Sequence, residues 1–187
     1  MKPPPSILRA ANRPAMPWRN GGGVTREIAV SPPDTGFADF DWRISMAEVA
    51  AAGPFSRFEG VDRVLTVIAG TLSLSVQGQP LLLDAQAAPH AFPGEAECWG
   101  EPLVGKVTDL NVMLRRGRYT GRVWRTQAGG FSASADIWLF VALADGTATV
   151  DHTTHQLHVH DAVLGRQARL ETITTAPGLV IELKAVS

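Results

Sequence analysis

Short segments in which apolar and polar residues alternate run along most of the chain, and Gly, Pro, Asp or Asn separate them. Alternation with a period of two is typical of β-strands that bury one face, and no segment has the apolar spacing of a long amphipathic helix. We therefore predict that the chain is built from short strands. In the first half these strands cover residues 24–30, 41–47, 61–69, 71–76, 81–83 and, as a long strand or a bent pair, 103–114.

The second half continues the same pattern after a predicted loop over residues 127–134. About a dozen short strands in one chain predict an all-β sandwich or barrel. Gly70 and the dipeptide Asp145-Gly146 each lie between two predicted strands, which predicts a hairpin at both places. The similar order of strands and turns in the two halves predicts two similar barrels in tandem. The strands of the second half cover residues 137–144, 147–150, 156–164, 168–174 and 179–186.

Two of the predicted strands carry polar residues on one face and apolar residues on the other. In the first, Arg43 and Ser45 alternate with apolar residues, and in the second Asp109 and Asn111 do so. Side chains two residues apart share a face of a strand. The polar faces are either the solvated side of an antiparallel sheet or the lining of a barrel interior. In an interior, the arginine and the aspartate would have to be paired or bind a ligand.

Two other segments have compositions that a binding site could use. Three consecutive glycines, residues 21–23, follow Asn20. They form either a flexible loop or a place where the backbone closely approaches a ligand or another strand. The phosphate-binding patterns GxxxxGKS and GxxxxGKT are absent, which argues against a P-loop. Phe55 and Phe58 lie among polar residues, and such aromatic side chains either fill a core or stack on a ligand.

Composition and charge argue against several classes of function. The 187 residues contain 17 Lys and Arg against 18 Asp and Glu, so the net charge of -1 gives no electrostatic basis for binding nucleic acid or an anionic membrane. No apolar run approaches the ~20 residues of a membrane-spanning helix, and the first residues lack the apolar core of a signal peptide. The single cysteine, Cys98, allows neither an internal disulfide nor a CxxC motif, and we expect a structural thiol. We expect a soluble cytoplasmic protein.

Four motifs between residues 17 and 117 give the chain a specific resemblance. PWRNGGGVTREIAV, FDWRISMAEV, GPFSRFEGVDRVLTVIAG and VTDLNVMLRRG occur in this order, and they closely resemble the HutD/Ves family. The resemblance implies a double-cupin fold of two fused β-barrels, all-β with few short helices. The first barrel would cover about residues 15–117 and the second about residues 118–187. A role in sensing or regulation is also implied, since some family members are encoded beside enzymes of histidine utilisation.

The resemblance also implies which residues line the first barrel and form its ligand site. Arginine binds a carboxylate through two hydrogen bonds, and Asp or Glu accepts hydrogen bonds from ammonium or amidine groups. We therefore expect the ligand to be a small polar carboxylate metabolite. The family points to an intermediate of histidine degradation, such as urocanate or formiminoglutamate. The expected ligand-binding residues are Asn20, Glu27, Arg43, Ser45, Ser56, Arg63, Asp109 and Asn111.

Three other interpretations of this set remain open. Its two arginines and two carboxylates could simply pair with one another, as buried charges normally do. Glu27 and Asp109 could instead act as acid and base in a metal-independent hydrolase or isomerase. No pair of nucleophile and base is evident in the sequence, so we assign no catalytic residue. The barrel could also be only the scaffold of an interaction protein.

Metal binding is not expected in the first barrel. Many metal-binding cupins carry HxHxxxxE before a strand that ends in Gly. Aligning that glycine with Gly70 places Arg63 at the glutamate position, and Ser56 and Phe58 at the two histidines. A guanidinium stays protonated and does not bind a metal ion. Neither a metal nor another cofactor is therefore predicted.

A histidine cluster in the second half of the chain is the other candidate metal site. On the predicted strand over residues 156–164, His158 and His160 share a face, which could hold one ion. No histidine follows His160 to complete the ligand set of a metal-binding cupin. We therefore expect an exposed cluster without a tightly bound metal. Its members, four of the five histidines in the chain, are His152, His155, His158 and His160.

Overall fold

The structure, a computed structural model, describes residues 4–36 and 39–186, with the backbone alone for 167–171. In these residues the chain is all-β, and its one helical segment is a 3-10 turn over Ala10–Asn12. None of the described segments is a helix with the length and hydropathy needed to span a membrane. The strands are β1 Ser6–Leu8, β2 Met16–Pro17, β3 Gly23–Ser31, β4 Trp42–Val49, β5 Gly53–Pro54, β6 Val61–Ala69, β7 Thr71–Val76, β8 Gln79–Asp84, β9 His90–Pro93, β10 Cys98–Pro102, β11 Val107–Arg115, β12 Tyr119–Thr126, β13 Gly129–Ala142, β14 Gly146–Val150, β15 Thr153–Leu157, β16 Ala162–Thr174 and β17 Gly178–Ala185.

The chain divides into two compact units. One spans residues 14–118, and the other combines residues 119–187 with the N-terminal segment that precedes residue 14. We call them the first barrel and the second barrel. The N-terminal segment joins the second barrel through β1, which pairs antiparallel with β16.

Two sheets form the first barrel. Their strand orders are β2-β3-β4-β11-β6-β9 and β5-β10-β7-β8. Apolar side chains from both sheets pack together in the interior, because alternate positions of each strand are apolar. This core includes Val49, Leu65, Val67, Leu72, Leu74, Leu83, Phe92, Cys98 and Val107. The polar faces of β4, β6 and β11 lie outside this apolar core and surround a cavity in the same barrel.

A seven-stranded sheet forms the second barrel, in the order β12-β17-β13-β16-β14-β15 with β1 beside β16. Bulky aromatic residues dominate its core. Trp138 and Phe140 are buried on β13, and the Phe131 ring stacks on Phe140 with the ring centroids 5.6 Å apart. Val163 and Val180 complete the same cluster from β16 and β17.

Both predicted hairpins are wrong. The chain turns at Gly70, but β6 lies in the six-stranded sheet and β7 in the four-stranded one. After the Asp145-Gly146 turn, β14 pairs with β15 and β16, whereas β13 pairs with β16 and β17. Glycine and aspartate at a turn fix the reversal of the chain, but the strand that it then joins depends on distant partners.

Several predicted element boundaries also differ from the structure. The predicted loop 127–134 falls largely within β13, whose small residues pair with β16. The predicted strand 156–164 is interrupted by a turn between β15 and β16. Of the segment 103–114, only the part that belongs to β11 is a strand. The small and polar residues of segment 127–134 have a low strand propensity. Pairing with distant strands nevertheless determines that most of this segment is a strand.

Candidate functional site: a polar cavity in the first barrel

A cavity of about 570 Å³ lies inside the first barrel. Strands β4, β6 and β11 contribute its buried charged side chains, and the loops before β3 and β6 contribute aromatic ones together with Arg19 and Asn20. Among the described residues that line it, the wall combines two buried arginines and the exposed Arg19 with a single carboxylate. The lining residues are Met16, Pro17, Trp18, Arg19, Asn20, Thr25, Arg43, Ser45, Ala47, Pro54, Phe55, Ser56, Phe58, Arg63, Asp109, Asn111 and Met113.

The polar faces of β4 and β11 line this cavity and do not meet bulk solvent. Arg43, Ser45 and Asp109 are buried, and so are Ile44 and Leu110 on the opposite faces of the same strands. The interpretation of these faces as the solvated side of a sheet is therefore wrong. Burial of both faces places Arg43 and Asp109 where water cannot fully solvate them.

Strand pairing arranges the polar side chains in rows across the wall. Met113 on β11 pairs with Arg43 on β4 and with Arg63 on β6, so the two arginines flank one methionine. The next row on the same face places Asn111 beside Ser45. Since strands lie about 4.8 Å apart, the Cα atoms of the two arginines are separated by roughly 10 Å.

Arg43 has a carboxylate partner. The Glu27 Oε2 lies 3.0 Å from Arg43 Nε. A register shift between Glu27 and Ala29 on β3 accompanies this placement, and Glu27 itself pairs with Ser45 across the sheet. Burial lowers the pKa of Arg43, and the Glu27 charge opposes that shift. The interpretation that the buried arginines and carboxylates pair with one another therefore holds for Arg43 and Glu27.

Arg63 is held by neutral groups. Its Nη1 donates to the Ser56 carbonyl oxygen at 3.2 Å, and its Nε is 3.5 Å from Asn111 Oδ1. Its guanidinium carbon lies 5.7, 5.6 and 5.0 Å from the ring centroids of Phe55, Phe58 and Phe92. Burial lowers the pKa of Arg63, yet a guanidinium stays protonated at neutral pH. Within the described chain no carboxylate forms a salt bridge with it.

Asp109 is a buried acid, with only 2% of its surface exposed. Its partners across the two flanking strands are Ala47 and Val67, which offer no hydrogen-bonding side chain. Burial raises the pKa of Asp109 to about 7, although the Arg63 charge acts in the opposite direction. This carboxyl group can therefore gain or lose a proton near neutral pH.

The glycine-rich loop before β3 is fixed by hydrogen bonds. Gly22 N donates to Asn20 Oδ1 at 3.0 Å, and Trp18 N donates to the Gly23 carbonyl oxygen at 2.9 Å. A Cβ atom on Gly23 would lie 2.5 Å from the Glu48 carbonyl oxygen, so only glycine allows this close approach. The contacts favour the interpretation as a close approach of the backbone to another strand. The loop also brings Asn20 and Trp18 to the cavity.

Seven of the eight residues expected at the site line the cavity, and Glu27 contacts it through its ion pair with Arg43. Their role in binding stays a prediction. Sequence reasoning did not select Trp18, Thr25 or Met113, although all three lie within the motifs or on a predicted polar face. Trp18 Nε1 donates to Thr25 Oγ1 at 2.8 Å, and its ring meets Phe55 edge to face.

The cavity does not have the ligand set of a metal site. Its described lining contains Asp109 as the one carboxylate and no histidine, beside three guanidinium groups. In the second barrel, the described residues include no group of three or more His, Cys, Asp or Glu side chains placed to bind one ion. His158 is largely exposed. His160 lies in the turn between β15 and β16, so the two histidines do not share the face of a strand.

The chain is similar in sequence to proteins from several bacteria. The family model HutD matches residues 10–180. An uncharacterized 21.2 kDa protein in the hutC 3′ region of Pseudomonas putida is 36% identical over 139 residues, which are 73% of each chain. Protein Ves from Citrobacter koseri is 38% identical over 115 residues, 57% of this chain and 56% of its own length.

Solved structures agree with the sequence comparison. HutD from Pseudomonas fluorescens SBW25 superposes with a TM-score of 0.86 at 32% identity, covering 98% of this chain and 100% of that one. A bacterial pirin from Escherichia coli, at 11% identity, has a TM-score of 0.64 and covers 97% of this chain and 100% of its own. A cupin 2 conserved barrel domain protein from Leptotrichia buccalis, at 10% identity, has a TM-score of 0.56 over 88% of this chain and 89% of its own. The last two likenesses concern the fold, and they confirm the expected all-β cupin architecture.

Proposed function

The chain belongs to the HutD family, and we propose that its first barrel binds a small polar metabolite through the carboxylate of that metabolite, without a metal ion. Binding would serve to sense or regulate histidine utilisation in the cytoplasm. The name of the Pseudomonas putida relative, which refers to the hutC region, supports this physiological context. The cavity supports the chemical class of the ligand.

One observation carries the proposal: Arg63 is a buried cation that faces the cavity and has only neutral hydrogen-bond partners among the described residues. A buried charge is costly unless an opposite charge compensates it. A ligand carboxylate can accept two hydrogen bonds from the planar guanidinium, which adds geometric specificity to the charge attraction. The face of the guanidinium is already occupied by aromatic rings, and the ligand would therefore approach its edge.

The remainder of the wall favours a ligand with a second polar group. Ser45 and Asn111 can exchange hydrogen bonds with such a group, and Asp109 can accept or donate one according to its protonation. Trp18 and Phe55 add a planar apolar surface. Urocanate and formiminoglutamate combine a carboxylate with a nitrogen group and are the first candidates.

The experiment is a calorimetric titration of the protein with intermediates of histidine degradation and related carboxylates. At least one is expected to bind with saturation and to raise the melting temperature, because a ligand that binds only the folded state stabilises it. Saturable binding also distinguishes this function from that of a barrel that acts only as an interaction scaffold. No binding across the whole panel would remove the sensing role in this pathway.

Asp109 favours a second candidate function, a metal-independent hydrolase or isomerase that acts on a similar metabolite. A buried carboxyl group with a pKa of about 7 in the wall of a cavity is suited to general acid or base catalysis. Glu27 is a weaker partner for this role, because it is engaged with Arg43. Proton NMR of each metabolite incubated with the protein separates the two functions. Turnover that Asp109→Asn abolishes would establish the enzyme, and unchanged metabolites would favour the sensor.

A further inference from the structure

Asp109 is the acid in the cavity whose charge has no close partner. In the described part of the chain its carboxyl group forms neither a salt bridge nor a hydrogen bond, and its neighbours on both adjoining strands are apolar. Glu27, the other carboxylate near the cavity, is paired with Arg43. The ionised form of Asp109 therefore depends on the field of Arg63, which lies on the adjoining strand β6.

Few other titratable or charged groups face the same interior. Arg43 comes from β4 and Glu27 from β3, and they neutralise each other. The Cys98 thiol on β10 is buried, and burial raises its pKa, so it contributes no charge at neutral pH. His90 on β9 pairs with Leu65 and stacks on Phe92. Arg19, in the loop before β3, also lines the cavity, but it is exposed to solvent. The balance of buried charge in the cavity thus depends on Arg63 and Asp109.

We propose that the first barrel binds a carboxylate together with one proton, and that Asp109 carries this proton. The inference rests on the proposed function, since it requires a carboxylate on Arg63. One guanidinium can neutralise one anion. With a ligand carboxylate on Arg63, an ionised Asp109 would be a second anion in a cavity that the ligand has emptied of water, which favours its neutral form.

The coupling is reciprocal. If the carboxylate favours a protonated Asp109, then protonation favours the carboxylate to the same extent. Affinity for a monocarboxylate is therefore constant well below pH 7 and falls as the pH rises above it. We expect binding about thirtyfold weaker at pH 8.5 than at pH 6, because pH 8.5 lies about 1.5 units above the pKa of the free form and each unit costs a factor of about ten. A ligand that also carries a cation balances the ionised Asp109 and takes up no proton.

Two probes with the same spacing between carboxylate and nitrogen separate these cases. 4-Acetamidobutanoate is a monoanion with a neutral amide, and 4-aminobutanoate carries an ammonium group at the corresponding position. Neither titrates between pH 6 and pH 8.5. Calorimetry at pH 8.5 in two buffers of different ionisation enthalpy, HEPES and Tris, gives the number of protons taken up on binding. We expect close to one proton for 4-acetamidobutanoate and none for 4-aminobutanoate.

The possible outcomes distinguish this inference from the proposed function. In one outcome, 4-acetamidobutanoate binds and Arg63→Ala abolishes this binding, but no proton is taken up and the affinity is the same at both pH values. This outcome would overturn the coupling and leave the carboxylate site intact. Binding of neither probe at pH 6, or binding that Arg63→Ala leaves unchanged, would overturn both.

Two variants locate the proton. Asp109→Asn keeps the shape of the side chain and stays neutral, so its binding of 4-acetamidobutanoate should be independent of pH and take up no proton. Asp34→Asn removes an exposed carboxylate of the same barrel and should retain the wild-type pH dependence. If the Asp109→Asn variant kept the wild-type proton uptake, the proton would reside on another group, such as His90, and the proposal would be wrong. The calorimetry on the wild-type protein decides the coupling even if this variant does not fold.

Discussion

Arg43 and Arg63 pair with the same residue, Met113, from the two strands on either side of it. They lie in one row of the barrel wall, yet their surroundings differ. Arg43 is bound to the Glu27 carboxylate, whereas Arg63 donates to a backbone carbonyl and an amide and lies among three phenylalanine rings. The two arginines are therefore unequal, and Arg63 is the one that can receive an anionic ligand.

Arg63→Ala should weaken binding of the carboxylate ligand by roughly 2–5 kcal/mol, because it removes one partner of a buried charged hydrogen bond. The variant should still fold, since no carboxylate among the described residues forms a salt bridge with Arg63. Calorimetry measures the affinity and circular dichroism the fold. Arg57→Ala is the matched control: its side chain is exposed on the loop that precedes β6, and its loss should leave the affinity unchanged. Equal losses in both variants would mean that Arg63 has no special role.

The stability of the protein should fall as the pH rises from about 4 to 7, through the contribution of Asp109. The ordinary pKa of an aspartate is 3.8 and the folded value is about 7. Between these values the unfolded state has lost its proton and the folded state has kept it, so a rising pH favours unfolding. At 1.36 kcal/mol per pH unit, the full effect is about 4 kcal/mol.

Asp109→Asn checks this pH effect, because asparagine has no charge to bury. The variant should gain stability relative to the wild type as the pH rises, with little difference near pH 4 and the largest near pH 8. Urea unfolding at both pH values measures the free energy of unfolding. A constant difference between the two proteins across this range would contradict the raised pKa.

Gly100→Ala should impair ligand binding through Phe55. A Cβ atom at Gly100 would lie 2.5 Å from Phe55 Cε1, so the ring must shift, and Phe55 lines the cavity beside Arg63. We expect a destabilisation of about 1–3 kcal/mol, typical of overpacking, together with weaker binding.

Gly165→Ala in the second barrel is the matched control for Gly100→Ala. Its Cβ atom would lie 2.1 Å from the buried Trp138 ring, so the variant should lose at least as much stability. The folded protein should nevertheless keep the wild-type affinity. Unchanged affinity in Gly100→Ala would show that the position of Phe55 does not matter for binding.

Protein purified without a metal-affinity step should contain no stoichiometric metal. The His158 side chain is 77% exposed with its Nδ1 3.8 Å from Asp145 Oδ1, and His160 lies in a turn, half-buried. Such exposed imidazoles bind transition metals only weakly unless further ligands converge on the ion. Elemental analysis checks this expectation. One zinc, iron or nickel per chain that disappears in a His158→Ala, His160→Ala double variant would contradict it.

The period of two along β4 and β11 was enough to predict which side chains share a face. It could not decide between solvent and barrel interior, because alternation is the same for an exposed and an enclosed polar face. The family motifs pointed to the interior for Arg43 and Asp109, and burial on both sides of these strands agrees. The ion pair of Glu27 with Arg43 depends on strand pairing, which alternation within β3 does not specify.

Strand partners were the least predictable part of the fold. Gly70 and Asp145-Gly146 have the local chemistry of hairpin turns, yet each connects strands that pair elsewhere. Which partner a strand finds depends on contacts distant in sequence, and a turn motif carries no information on them. The aromatic residues Phe55 and Phe58 were ambiguous for a related reason: they pack against Arg63 and line the cavity at the same time.

The most direct test of carboxylate binding is a crystal structure of the protein soaked with the carboxylate that binds most tightly in the calorimetric panel. We predict that the ligand occupies the first barrel with its carboxylate oxygens about 3 Å from the Arg63 guanidinium nitrogens, the distance of a charge-assisted hydrogen bond. A ligand bound elsewhere on the protein, or in the cavity with its carboxylate directed away from Arg63, would contradict the account.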